Sequence, residues 1–421
     1  MDTGKLFAKA EMKRVRDSFE LLDHDYTGEP RLFFENAGGS IRLKEAERRF
    51  FEVDMVPDCD GRNHKTAKYL KSLVEKGEED VRILLNVQGG AIATALTASQ
   101  VMFEMVEAVI ENVPGNNVVT TVLEHPSSYD STEIFARQTK KELRVAPSNP
   151  ETGGCDADAV CSLVDKDTCL LNVMYASNIS GAVFDIPAIV KKARAIKPDL
   201  YITVDAVQHA PHAVLDLSGL SIDGVNFAPY KFFGVRGFGM AWLSDRLAKL
   251  PHSRLTARPE NYWKLGSDAP AQYAMFSSIL DYVCGLAENQ KETDRRKLFV
   301  DGMAKIVLQE RALLYHLLEG AGDASGLRHI SGVKVYGDNP DLTRRDLILA
   351  IGFSNMSSTQ AVEEYLKRHI VVFDRVDTSL YSKRMLHSFG LEDVVRVSPL
   401  HCHNLQEIEQ FLKATQEIAS L

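Results

Sequence analysis

Thr168-Cys-Leu-Leu-Asn-Val-Met174, Ile186-Pro-Ala-Ile-Val-Lys-Lys-Ala-Arg-Ala-Ile196 and Leu200-Tyr-Ile-Thr-Val204, in that order, decide the fold of this chain. The two outer runs are apolar and β-branched with few polar residues, as expected of strands buried on both faces of a parallel sheet. The middle run reads as a helix with proline near its first turn, long enough to cross between parallel neighbours. On the N-terminal side, Val81–Val87 and Asn117–Leu123 read as further strands. Gly89-Gly90 and a helix-like run to about Asn112 lie between them, with Ala91 to Ile110 read as a core helix. The alternation, sustained from about residue 80 to 250, predicts an α/β fold whose mostly parallel sheet carries helices on its faces.

Past Asp281 the pattern changes. A long helical stretch to about Gly320 precedes strand-like Val333–Tyr336 and Leu347–Ile351, a helix near 358–368, then Ile370–Phe373 and Val394–Val397. Asn404 with Glu407 three residues on predicts a capping box opening a last helix, Leu405–Leu421. This is read as a smaller α+β C-terminal domain. The expected division is an N-terminal segment 1–30 packed on the small domain, a large domain 31–285 and a small domain 286–421.

Composition narrows the function. In 421 residues, 58 acidic and 49 basic side chains give net charge −9, which argues against a nucleic-acid or anionic-membrane binder. The start shows no basic end followed by an apolar core, and Ala91 to Ile110 is interrupted by Gln100, Glu104 and Glu107, so neither a secretory signal nor a membrane span is expected. Six cysteines, at 59, 155, 161, 169, 284 and 402, lack paired spacing and read as reduced thiols of a cytoplasmic protein.

In an open α/β sheet, ligands bind beyond the carboxyl ends of the strands. Gln88-Gly89-Gly90-Ala91 there reads as a phosphate-facing turn or a plain one. Ile202-Thr-Val-Asp205 ends a buried strand with a carboxylate that needs a cationic or hydrogen-bonded partner. Lys231, in Ala228-Pro-Tyr-Lys-Phe-Phe-Gly234, stands among apolar and aromatic residues that would depress its pKa and leave a usable amine, the plain alternative being a lysine that snorkels from a strand end. A phosphate cradle, a buried Asp and an embedded Lys, in that order, are what pyridoxal 5′-phosphate requires.

With those features the chain resembles the class V aminotransferase superfamily of fold-type I pyridoxal-phosphate enzymes, nearest its cysteine-desulfurase-like and selenocysteine-lyase-like branch. The resemblance rests on Phe34-Glu-Asn-Ala-Gly-Gly-Ser40, Ala176-Ser-Asn-Ile-Ser-Gly181, Val204-Asp-Ala-Val-Gln-His-Ala-Pro-His212, Tyr230-Lys-Phe-Phe-Gly234 and Val395-Arg-Val-Ser398. It implies that Lys231 bonds the cofactor and, once released by substrate, moves the proton at Cα. Asp205 would pair with the ring nitrogen, Gln208 would reach the ring hydroxyl and His125 would stack on the ring. Gly89, Gly90 and Ala91 would hold the phosphate, with Tyr230 beside the lysine. Asn178 would lie near the ring oxygen and the substrate carboxylate. Arg396 would clamp that carboxylate with its planar fork, and Asn36 would belong to a loop folding over the site. Tyr262-Trp-Lys-Leu-Gly-Ser267 resembles a segment lent by a second subunit, with Ser267 on the partner's phosphate, which implies a homodimer with shared sites.

Three departures matter. The turn Gly90-Ala91-Ile92 lacks the Thr or Ser of many relatives. Tyr230 stands where many desulfurases have histidine. The segment Asp374-Arg-Val-Asp-Thr-Ser-Leu-Tyr-Ser-Lys-Arg384 lacks the nucleophilic cysteine that accepts sulfur as a persulfide, and Cys402 reads as structural. Arg375, Lys383 and Arg384 read as a solvated loop face, the alternative being contact with a second acidic group. Neither His209 with His212 nor His401-Cys402-His403 reads as a metal site, because adjacent strand residues face opposite ways and the first pair falls inside the cofactor segment. Gly234, Gly237 and Gly239 lack the spacing of a dinucleotide fingerprint.

The expected activity is elimination of a Cβ substituent, of the C–S lyase type, from a small α-amino acid. The same site could also support transamination, epimerisation or carbon–carbon chemistry. A non-catalytic binding protein on the same fold is the reading from another class.

Overall fold

The computed structural model describes residues 2–57, 59 and 61–421. Its centre is a seven-stranded sheet: β1 Ala91–Ala95, β2 Asn117–Thr121, β3 Glu142–Ala146, β4 Thr168–Met174, β5 Tyr201–Asp205, β6 Gly224–Phe227 and β7 Gly239–Leu243. The order is β1-β7-β6-β5-β4-β2-β3, and only β7 runs antiparallel to its neighbours. β2, β4, β6 and β7 are buried at every position, as strands covered on both faces by helices are. The predicted crossover helix Ile186–Ile196 is present, with Asp185 capping it through a bond from the Ala188 N–H at 3.1 Å.

The N-terminal expectations need two corrections. Val81–Val87 is not a strand: residues to Leu85 complete a helix, Lys65–Leu85. Its buried positions (Leu70, Val74, Gly77, Val81, Leu84) recur every three or four residues, and the apolar stripe turns strand-like only in its last turn. Gly77 lets this helix approach Pro270–Cys284, since a Cβ there would lie 2.6 Å from the Tyr273 ring. Nor is Ala91–Ile110 one helix. Ala91–Ala95 is β1, and the helix, α1 Ala98–Asn112, starts after Thr97, whose hydroxyl accepts from the Gln100 N–H at 3.1 Å.

A second sheet, β8 Val333–Tyr336, β9 Leu349–Phe353, β10 Phe373–Val376 and β11 Asp393–Val397, is antiparallel throughout in the order β8-β9-β11-β10. Leu349, Ile351, Val395 and Val397 join Tyr365 and Phe411 in an apolar cluster formed with helices Ser358–Leu366 and Leu405–Ala419. Alternation therefore turns Val394 and Arg396 to the opposite face. The capping box of Asn404 and Glu407 forms as expected. The N-terminal segment lies on the long helix Arg295–Glu319 and on the first turn of the final helix. Lys305 binds Glu11, and Arg16 bonds Glu407 at 2.7 Å. No helix among the described residues is long and apolar enough to cross a membrane.

Candidate active site

A cavity of about 440 Å³ opens at the carboxyl ends of the parallel strands. Thr97, Ala98 and Ser99 line one end of it, where β1 turns into α1 and the first turn of the helix borders the cavity. It is this turn, and not Gly89-Gly90-Ala91, that lines the cavity. Gly89 and Gly90 precede β1 at its opposite end, where Trp242 Nε1 donates to the Gly89 carbonyl at 3.1 Å. Glycine is required at 90 by packing: φ is +70°, and a Cβ would meet the Leu243 carbonyl and the Trp242 indole. The misplaced turn followed from misreading the strand, and the apparent lack of a hydroxyl residue disappears with it.

Asp205 ends β5 at the cavity, 6% exposed, with one oxygen accepting from the Val207 N–H at 3.0 Å. Burial pushes its pKa up, so the carboxylate is poised for a proton-bearing partner. Lys231 lies in a short 3₁₀ turn, Pro229–Lys231, and donates from Nζ to Gln208 Oε1 at 3.2 Å. Burial first, then the Arg396 charge, lowers its pKa to about 8. Asn178 lines the same cavity with its Oδ1 buried and unpartnered among the described residues.

His125 caps helix Pro126–Gln138 at the end of the loop from β2, with Nδ1 accepting from the Ser127 N–H at 3.2 Å. Burial, reinforced by Lys231, Arg375, Arg384 and Arg396, lowers its pKa to about 3, so the ring is neutral. Glu124 beside it is fully buried and accepts from Thr121 Oγ1 at 2.8 Å, Met174 N at 2.9 Å and Ser128 Oγ at 3.0 Å. Its pKa is pushed up to about 7 by burial. These bonds tie the ends of β2 and β4 to the first turn of the helix and fix the His125 backbone.

Arg396 projects from β11 toward this region. Nη1 donates to the Asn178 carbonyl at 3.0 Å, and the other guanidinium edge is paired with Glu35. Glu35, not Asn36, is thus the charged contact of the N-terminal loop. The Asn36 amide is engaged in shaping that loop, donating to the Ser398 carbonyl at 2.9 Å and accepting from the Ile41 N–H at 3.0 Å. Tyr230 lies under the Arg236 guanidinium, 4.4 Å from Cζ to the ring centroid. Ser267 is exposed on a segment pinned by Lys264 Nζ, 2.6 Å from both Glu78 and Asp268, and it does not line this chain's cavity.

The 374–384 segment is not a solvated face. Arg375 is buried, and Arg384 donates to the carbonyls of Val122 and Glu124 with its Cζ 3.7 Å over the Tyr129 ring. Only Lys383 of the three cations is exposed. Tyr381 from this segment reaches His125, 6.3 Å between ring centroids.

A larger cavity, about 650 Å³, lies on the other side of the 205–212 segment. Its histidines each bind a carboxylate of their own, His209 to Asp346 at 2.9 Å and His212 to Glu310 at 2.8 Å.

The site's donor set fits pyridoxal 5′-phosphate: a buried amine of lowered pKa, a buried carboxylate seeking a protonated partner, an idle amide oxygen and a helix N-terminus. Reasoning from sequence missed Thr97, Glu35 and Glu124. Thr97 three residues before Gln100 was a readable cap pattern, whereas Glu35 and Glu124 stood beside residues already singled out without a signal of their own.

Comparison with known proteins agrees with this geometry. Residues 56–265 match the family described as Aminotransferase class-V. An aminotransferase-like protein, FGM3, of Gibberella zeae is 25% identical over 97% of this chain and 98% of its own length. A cysteine desulfurase of Pectobacterium carotovorum is 26% identical over 57% of this chain and 60% of its length. Among solved structures, apo cysteine desulfurase from Thermococcus onnurineus superposes with a TM-score of 0.81 at 17% identity, covering 99% of both chains. The cysteine desulfurase CsdA of Escherichia coli gives 0.79 at 18%, again covering 99% of both. With the fold, the site and the match over residues 56–265 in agreement, the chain belongs to the class V aminotransferase family and is a pyridoxal-phosphate-dependent enzyme.

Proposed function

We propose that this chain is a lyase of small α-amino acids that eliminates a substituent from Cβ, sulfur foremost. The observation that carries the reading is a buried amine, Lys231, in a cavity that also holds the Asp205 carboxylate and has no cysteine among its described lining residues, with the Arg396 guanidinium bonded to the carbonyl of its lining residue Asn178 and acting on the amine's pKa. A persulfide route needs an accessible thiolate. Here burial holds the Cys155 thiol up at about 12 and the Cys402 thiol well above its ordinary value.

The cofactor would be held by the Thr97–Ser99 turn at its phosphate, Asp205 at its ring nitrogen, and Gln208 and Asn178 near its ring oxygen. When bound it supplies the electron sink for charge developing at Cα. Arg396 takes the substrate α-carboxylate by a two-point contact, exchanging Glu35 for the ligand. Lys231, with its pKa near 8, removes the Cα proton. The Cβ–X bond then breaks and its electron pair leaves on X. The 2-aminoacrylate formed takes up water to give pyruvate and ammonia. Neutral His125 offers a flat uncharged face without competing for that proton.

The working unit in this reading is a cytoplasmic homodimer, each copy lending Ser267 to the other's phosphate. Exposure of Ser267 on a firmly pinned segment supports that arrangement.

The experiment is to supply the loaded enzyme with Cβ-substituted amino acids and measure keto acid and ammonia. Equimolar release supports elimination. A keto acid that retains the Cβ substituent, with the cofactor left in its amine form, would mean transamination instead. Release of no keto acid from any such substrate would end the proposal.

A further inference from the structure

The 374–384 segment brings to the site a cation that elimination alone does not use. In the β10–β11 pairing Phe373 lies opposite Arg396, and Arg375 lies opposite Val394. Paired residues and their neighbours two positions along share a face, so Arg375 and Arg396 are diagonal neighbours, roughly 7–8 Å apart at the backbone. Their guanidinium carbons flank the Phe373 ring at 5.9 and 5.6 Å from its centroid.

The two arginines are provided for differently. Arg396 has Glu35 as counter-ion. Arg375, 8% exposed, has no carboxylate partner among the described residues; it donates from Nη2 to the Tyr381 carbonyl at 2.6 Å, and its Nε is buried with no acceptor. Burial and the Arg396 charge lower its pKa only to about 10, so it remains a cation at neutral pH. A buried guanidinium with an idle N–H is costly unless an anion arrives to satisfy it. Its charge is felt at both Lys231 and His125, which places it within electrostatic reach of the reacting region. Arg236 adds a further cation on the cavity wall. Two carboxylates lie near the pair, Glu35, which is bonded to Arg396, and Asp374, which accepts from Thr359 Oγ1 at 2.5 Å, so neither is bonded to Arg375.

We propose that Arg375 receives a second acidic group of the substrate, so that the amino acid bears a carboxylate, sulfinate or similar oxyanion beyond Cβ while Arg396 holds the α-carboxylate. This rests on the reading above for the amino-acid half of the ligand, but not for the bond that is broken.

The test compares aspartate with asparagine, nearly equal in shape and different in charge, titrated calorimetrically into the cofactor-loaded enzyme and its Arg375→Met and Arg375→Lys variants. Aspartate should bind the unsubstituted enzyme at least tenfold more tightly. Arg375→Met should abolish that preference, and Arg375→Lys should keep part of it. If Arg375 serves only to hold the Tyr381 carbonyl, its replacement will weaken both ligands alike, which would overturn the proposal. Equal binding of the two by the unsubstituted enzyme would overturn it as well. Should Arg375→Met fail to fold, the unsubstituted enzyme and Arg375→Lys still decide. An aspartate preference that depends on Arg375, without keto-acid release from any Cβ-substituted amino acid, would refute the lyase and leave this inference standing.

Discussion

The two walls of the cleft are built on different principles. The wall made by the parallel sheet presents Thr97, Asp205 and Lys231 on strand ends and tight turns, with Asp205 and Lys231 buried and Thr97 at the exposed rim. The wall made by the N-terminal loop and the small sheet presents Glu35, Arg375 and Arg396, held by the Arg396–Glu35 ion pair and by bonds from the two guanidinium groups to the Asn178 and Tyr381 carbonyls. A rigid wall suits a resident cofactor that must not move. A wall with an exchangeable ion pair suits a substrate that comes and goes, which on the proposed function displaces Glu35. On the proposed function, the chemistry belongs to the first wall and the choice of substrate to the second.

The largest effect expected is on the rigid wall. Lys231→Ala removes the group that moves the proton at Cα and should lower turnover by about 10²–10⁴-fold. A variant within a few-fold of the unsubstituted enzyme would take the chemistry away from this wall. On the exchangeable wall, Glu35→Gln leaves Arg396 buried without its counter-ion and should cost up to about 3 kcal/mol in the ligand-free state. An amino-acid ligand should restore most of that loss, so the rise in melting temperature on ligand addition should exceed that of the unsubstituted enzyme. An equal rise would mean that Glu35 is not displaced.

Smaller effects sharpen the boundary of the rigid wall. Thr97→Ala removes the cap of α1 at a cost of roughly 1 kcal/mol, and should weaken cofactor binding about tenfold as the turn that faces the cavity loosens. Gly89→Ala, strained at a φ of +64°, should lower stability without changing cofactor affinity. The reverse pattern in a cofactor titration would return the anion site to Gly89-Gly90.

The mildest test is pH. The Lys231 amine has a pKa of about 8 against the ordinary 10.5, so the rate at which apoprotein captures cofactor should climb with pH to a midpoint near 8. Between those two values the unfolded chain binds more protons than the folded one, so apoprotein stability should rise with pH across that window. His125, with its pKa near 3, should add no inflection around neutrality. A midpoint near 10 would deny the burial of the amine.

The rigid wall was also the legible one. Asp205 and Lys231 stood out in the sequence because a charge closes a β-branched run or is set among aromatics, although a lysine snorkelling from a strand end reads the same way until the two are taken together. The anion turn was misplaced because Val81–Leu85 looks like a strand once cut from the helix that contains it. Only the 3–4 residue spacing back to Leu70 reveals the helix. The exchangeable wall was hardly legible. Arg375 and Arg384 sit in a polar stretch that reads as solvent-facing, and their burial arises from cross-strand pairing and from contacts with Val122, Glu124 and Tyr129, more than two hundred residues away. Arg396 was found through resemblance, and its pairing with Glu35 is a tertiary fact.

The account's central claim is that Lys231 is the residue to which the cofactor is attached. The direct measurement is to load the protein with pyridoxal 5′-phosphate, reduce it with borohydride, digest it and locate the modified lysine by mass spectrometry. The account predicts a visible absorption band bleached by the reductant, one modified peptide carrying the label at Lys231, and neither band nor label in Lys231→Ala. A label on another lysine, or a band that survives in Lys231→Ala, would contradict it.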